Sequence, residues 1–101
     1  MLDIVKSVNG VPIRLTSERW FHIVENHNDL AGYYEEVLDT VENPNLIVKG
    51  YRGALVAQKE IYKGHYMVVI YKETKENDGF IVTAYISSSL RKEKVVWQKQ
   101  K

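Results

Sequence analysis

The chain has 101 residues, 45% hydrophobic, 27% charged and 11% aromatic, enough for one domain with a single modest core and too few for a large enzyme. It has no cysteine, which excludes a disulfide framework and a thiolate zinc site. The formal net charge of +1 hides a split: residues 1–50 carry four Lys/Arg against eight Asp/Glu, whereas residues 51–101 carry ten against five, and a basic half of this kind is suited to attract phosphates.

The start, Met1-Leu2-Asp3-Ile4, has no basic region followed by an apolar core, and no run approaches the roughly 18 apolar residues of a membrane span. A soluble cytoplasmic protein without a membrane partner is expected. Asn9-Gly10 is a strong turn signal, and the alternating Val11-Pro12-Ile13-Arg14-Leu15 after it reads as a strand with Pro at its edge, so a small hairpin over residues 2–15 is expected. Thr16 or Ser17 offers a helix N-cap, and Trp20, Ile23, Val24 and His27 recur at helical spacing, predicting a helix that ends near Asn26 to Asn28. A second helix is expected from about Asp29, on the stripe Leu30, Tyr33, Tyr34, Val37, Leu38 and Val41, closed by Asn43-Pro44, because the residue before Pro is pushed out of the helical region.

From there the period changes from 3.6 to 2. Leu46 to Lys49, Ala54 to Tyr62, Tyr66 to Glu73, Phe80 to Ser87 and Val95 to Gln98 are five strand candidates, and the short connections between the first four favour antiparallel neighbours. The expected architecture is therefore α+β: one domain with two N-terminal helices packed on one face of a four- to five-stranded antiparallel sheet. In the fourth of these strands Phe80, Val82, Ala84 and Ile86 form an apolar row expected to meet the helices, with Ile81, Thr83, Tyr85 and Ser87 on the opposite side. One register would gather Lys59, Tyr71, Thr83 and Tyr85 on the exposed face.

The chain has no Gly-rich phosphate loop, no His-Glu-x-x-His pair, no Gly-x-Ser-x-Gly elbow and no calcium loop, which removes nucleotide hydrolysis and zinc proteolysis from the candidates. His22 and His27 fall about 140° apart around an ideal helix and are poor partners for one metal, so neither a metal nor another cofactor is expected. His27 lies on the apolar stripe, where a hydrogen-bonded histidine at the edge of the core is the ordinary role; His22 lies off it, at the surface or as a general acid or base. Metal-free cleavage of an RNA phosphodiester needs a base for the 2′-hydroxyl, an acid for the leaving 5′-oxygen and cations for the developing charge. His, Lys, Arg, Tyr and Thr supply these groups. Arg52, in the Gly50-Tyr51-Arg52-Gly53 turn, and Arg91, after the last core strand, are the phosphate-clamp candidates because guanidinium donates bidentately.

The stretch Leu15-Thr16-Ser17-Glu18-Arg19-Trp20-Phe21-His22-Ile23, the helix-end His27, the segment Val37-Leu38-Asp39-Thr40-Val41-Glu42-Asn43-Pro44 and Thr83-Ala84-Tyr85 together resemble a known pattern. Over residues 12–97 the chain looks like a small stand-alone member of the barnase, EndoU, colicin and RelE-like nuclease superfamily, near its phage-associated and toxin-like branches. The resemblance implies helices against a four- or five-stranded antiparallel sheet and a metal-independent endoribonuclease, often encoded with an antitoxin. It carries over His22 and His27 from the Trp-x-His motif and Thr83 and Tyr85 from the late strand. Lys59, Tyr71, Arg52 and Arg91 are added from face and charge. Where relatives tend to read His-Pro-Glu at the end of the first helix, this chain reads His27-Asn28-Asp29, which keeps an acidic residue and loses the Pro.

The expected function is cleavage of RNA, free or ribosome-associated, by 2′-hydroxyl attack, with a cognate antitoxin as a further partner and the oligomeric state open. Two alternatives stand beside it: a non-catalytic RNA-binding module on the same fold, and a protein-interaction domain that uses the acidic helical half, Glu35, Glu36, Asp39 and Glu42.

Overall fold

The computed structural model describes residues 2–100. The chain opens with a hairpin, β1 (Leu2–Lys6) and β2 (Pro12–Thr16), turned at Asn9-Gly10, where Gly10 takes a positive φ of 79°. Two helices follow, α1 (Ser17–Asn26) and α2 (Tyr34–Glu42), and then β3 (Leu46–Lys49), β4 (Leu55–Tyr62), β5 (His65–Lys75), β6 (Asp78–Ser87) and β7 (Val95–Gln98). All seven strands form one sheet in the order β1-β2-β6-β5-β4-β3-β7, antiparallel throughout except for the parallel contact of β2 with β6.

The architecture is α+β, but the expected four- to five-stranded antiparallel sheet with two N-terminal helices is corrected. The helices come after two strands, and the sheet is seven-stranded and mixed. The hairpin enters it through only two registered pairs, Ile13 with Gly79 and Arg14 with Phe80. Gly79 makes that approach possible, because a Cβ there would lie 2.5 Å from the Ile13 Cδ1 and 2.4 Å from the Lys72 carbonyl oxygen. Parallel pairing requires a long connection, and here both helices and then β3, β4 and β5 lie between the two strands.

The Thr16 hydroxyl accepts from the Arg19 backbone N–H at 3.1 Å and caps α1, satisfying one of the donors a helix start leaves open. The second helix begins later than its apolar stripe suggests. Asn28–Leu30 closes only a 3-10 turn, and Gly32, among the poorest helix formers, intervenes before Tyr34. Leu30 is nonetheless fully buried. Trp20 and Tyr34 meet edge to face at 5.0 Å and lock α1 to α2, while the Tyr34 hydroxyl donates to Asp3 of β1.

Both helices cover one face of the sheet. Ile13, Leu15, Ile47, Ala57, Met67, Val69, Tyr71, Ile81 and Ala84 meet Ile23, Val37, Leu38 and Val41 there. A bulge in β6 decides which residues join them: Ile70 pairs with Thr83 but Tyr71 with Ile81, so Val82 is the extra residue. The row Phe80, Val82, Ala84, Ile86 is thereby broken, since Ile81 turns to the core and Phe80 to the opposite face, under the Arg14 guanidinium. A bulge reverses the alternation on one side of itself.

The opposite face has its own smaller core, Leu46, Val48, Val56 and Val68, with Ile70, Tyr85 and Leu90 against it. Leu90 arrives from the segment joining β6 to β7, a strap of residues 88–94. Gln58 of β4, fully buried, grips it: the side-chain amide donates to the Arg91 carbonyl at 3.0 Å and its oxygen accepts from the Arg91 N–H at 2.8 Å. The strap then returns to the sheet, with the Lys49 N–H donating to the Lys94 carbonyl at 3.0 Å.

Candidate functional site

The face that carries the strap also carries a groove of about 350 Å3 lined by Gly50, Tyr51, Arg52, Ala54, Val56, Ile70, Lys72, Val82 and Arg91. Three strands and two loops build it. Val56 and Ile70 are cross-strand partners on β4 and β5, and they form the apolar floor with Ala54 and the bulge residue Val82. Lys72 extends the β5 row beyond Ile70. Arg52 comes from the turn between β3 and β4, where it sits in the left-handed region at φ 53° and ψ 46°. Its guanidinium lies 5.2 Å from the Tyr51 ring centre, and Tyr51 is itself largely exposed. Arg91 comes from the strap that Gln58 holds. Three cations therefore converge over an apolar floor, and no carboxylate is among the lining residues.

Beside the groove, an Arg91 terminal nitrogen donates to the Tyr85 hydroxyl oxygen at 2.7 Å. A cation donating to a phenol oxygen leaves the phenol proton directed elsewhere. The His27 ring lies 6.0 Å from the Tyr85 ring, centre to centre, and is tilted by 34°. His27 holds this place as the residue that ends α1, its N–H bonded to the Ile23 carbonyl at 2.8 Å. The chain His27, Tyr85, Arg91 thus joins an imidazole at the end of α1 to the cationic groove.

The eight residues singled out from the sequence separate into two sides. Arg52 and Arg91 share the groove, Tyr85 is bonded to Arg91, and Thr83 stands on the same face as the partner of Ile70. Lys59 and Tyr71 do not join them, so the expected gathering of Lys59, Tyr71, Thr83 and Tyr85 on one exposed face is corrected. Tyr71 is completely buried under the helices. Lys59 pairs with Met67 on the same helix-covered face and donates to Asp39 of α2, which holds the Asp39 carboxyl below the usual carboxylate range. In register terms the two rows of β5 are opposite in facing, and Tyr71 belongs to the row of Met67 and Val69. His22 lies on the exposed side of α1, its Nδ1 3.6 Å from a Glu25 carboxylate oxygen, and is not among the groove residues.

Two groove features went unselected in the sequence. Lys72 sits in the same two-residue row as Val68 and Ile70, so alternation alone put it on this face once the facing was known. Gln58 offered only the signal of a polar residue inside an apolar strand. Among the described residues no three His, Asp or Glu side chains cluster as a metal site would require, and no helix is long and apolar enough to cross a membrane. No protein family, curated protein or solved structure matches this chain.

Proposed function

We propose that the protein binds single-stranded RNA along the groove of Arg52, Lys72 and Arg91 and cleaves it without a metal, as the resemblance to the barnase, EndoU, colicin and RelE-like nucleases suggests. The observation that carries the reading is the convergence of three cations on an apolar floor with no lining carboxylate. A phosphodiester satisfies the cations, and a ribose or base face satisfies the floor. Tyr51, exposed beside Arg52, offers a stacking surface of the kind that contributes about 1 to 3 kcal/mol per base.

In the proposed reaction His27 accepts the 2′-hydroxyl proton as that oxygen attacks the adjacent phosphorus. The P–O bond to the 5′-oxygen breaks, and Tyr85 donates its proton to the departing oxygen, leaving a 2′,3′-cyclic phosphate and a 5′-hydroxyl. Arg91 and Lys72 stabilise the charge on the phosphorane. This reading implies a cytoplasmic protein whose partners are RNA, free or on the ribosome, and a cognate antitoxin.

The test is a labelled mixed-sequence RNA incubated with the protein in EDTA. Lys72→Ala should weaken binding, and His27→Ala should abolish cleavage while binding persists. A His27→Ala variant that cleaves at the wild-type rate sinks the catalytic assignment. The second reading, an RNA-binding module without cleavage, is favoured by the withdrawal of Lys59 and Tyr71 to the helix-covered face, which leaves His27 with few acid-base partners. Salt-sensitive binding with intact RNA in every lane would select it.

A further inference from the structure

Adjoining the first groove at Arg91 lies a second concavity, of about 440 Å3, lined by Val48, Lys49, Leu90, Arg91, Lys92, Glu93 and Lys94. It repeats the chemistry of the first groove: an apolar base, here Val48 and Leu90, below a rim of four cations and a single carboxylate. Arg91 lines both. The two therefore meet at Arg91, on a strap held by the Gln58 clamp on Arg91 and by the Lys49 N–H bond to the Lys94 carbonyl. Lys94 is held at φ 58°, a conformation disfavoured for a residue with a side chain, and so keeps a cation where the backbone alone would prefer glycine.

Resting on the RNA reading of the first groove, we infer that a bound strand crosses the strap at Arg91 and continues into this second groove, so that the substrate class is an oligonucleotide occupying both compartments and not a mono- or dinucleotide. Arg91 then serves as the shared contact at the crossing, while Lys92 and Lys94 take the phosphates beyond it; Lys49 belongs to the row of Ile47, opposite Leu55, on the helix-covered side. Cationic grooves of this kind follow a single strand over about 4 nucleotides or more.

The experiment uses fluorescently labelled 2′-O-methyl oligonucleotides of two and eight nucleotides, whose blocked 2′ position prevents cleavage, and reads affinity by anisotropy across a salt series. Wild-type protein should bind the octamer on the order of a hundredfold tighter than the dimer, beyond the statistical gain from extra registers, because the second contact is intramolecular. In a Lys92→Ala, Lys94→Gly double variant the octamer-to-dimer ratio should fall about tenfold, and the octamer salt slope should decrease by about 0.7 per lysine removed. Glu93→Gln should raise the ratio. Should circular dichroism find the double variant unfolded, Lys92→Ala, on the exposed strap, gives the same reading. A ratio unchanged in the variants, or no larger than the statistical gain in the wild type, overturns the two-groove strand while leaving the first groove intact. Failure of both probes to bind overturns both readings.

Discussion

Tyr71 carries a hydroxyl buried without a hydrogen-bond partner among the described residues, directly beneath the helices. Burial, with Glu73 nearby, pushes its pKa far above the ordinary tyrosine value, so the group stays a neutral phenol in a space that would suit a phenyl ring better. An unsatisfied buried hydroxyl costs about 1 to 3 kcal/mol. Tyr71→Phe is therefore expected to stabilise the protein by about 1 kcal/mol, raising the melting temperature by roughly 4 to 8 °C for a domain of this size, and to leave the proposed RNA cleavage unaffected. A loss of cleavage with no gain in stability would show that the ring moves to the other face during function. Both rows of β5 are rich in apolar and aromatic residues, so alternation alone does not say which row is inward. Lys59 was more legible, since it shares its row with Leu55, Ala57 and Ile61, and an apolar row predicts burial. What the row does not disclose is that Asp39 waits on α2 to accept the lysine.

At the scale of elements, the candidate site depends on a strap whose only buried polar side-chain anchor on the sheet, among the described residues, is Gln58. Its amide matches the Arg91 main chain as donor and acceptor together. Gln58→Glu keeps the shape but, once ionised, sets a carboxylate oxygen against the Arg91 carbonyl, with no proton between them. At neutral pH this change is expected to cost about 1 to 3 kcal/mol of stability and to weaken the proposed RNA binding by releasing Arg91. Burial raises the pKa of the introduced carboxyl, so acidification should restore the proton and, with it, the clamp. The measurement is the ratio of variant to wild-type RNA affinity from pH 7.5 to 5, in which changes common to both proteins cancel; a ratio that does not recover would mean that the strap does not position Arg91. The strand and helix positions were largely readable from periodicity, turn signals and the Thr16 cap. The union of β2 with β6 was not, because two residue pairs joined across more than sixty positions leave no local pattern, and the bulge at Val82 is a one-residue event that alternation cannot register. Gly79 was visible in the sequence, yet its need for close approach to Ile13 appears only when the strands are side by side.

The whole molecule is two-sided. The acidic helices lie over one face of the sheet and the basic grooves occupy the other, which turns the uneven charge along the chain into a dipole that would orient an approaching polyanion. Three contacts also tie the layers and strands together through titratable groups, and they make stability depend on pH at both ends. Asp39 is held below its ordinary pKa of 3.8 by its hydrogen bond from Lys59, and Asp78 by its hydrogen bond from Arg14, with Thr74 also donating to it. For a carboxyl depressed in the folded state, the stabilisation is present above the unfolded pKa and is lost as pH falls through the folded one. Both pairs are partly exposed, so solvent screens them, and the acid limb should be shallow. Tyr34 titrates in the opposite sense: burial, and then the hydrogen bond to Asp3, push its pKa from 10.0 up to about 12. A group raised in the folded state gives stabilisation that is full below the unfolded pKa and disappears as pH rises toward the folded one. The melting temperature should therefore be flat between about pH 5 and 9, decline below about 4 and decline again above about 10. Asp39→Asn should flatten the acid limb, and Tyr34→Phe should reduce the alkaline limb without removing it, because Tyr71 is raised in the same direction. An alkaline limb that Tyr34→Phe leaves unaltered would mean that the Asp3 contact does not hold β1 to α2 in solution, and the hairpin edge of the sheet would then be the first part of the fold to open.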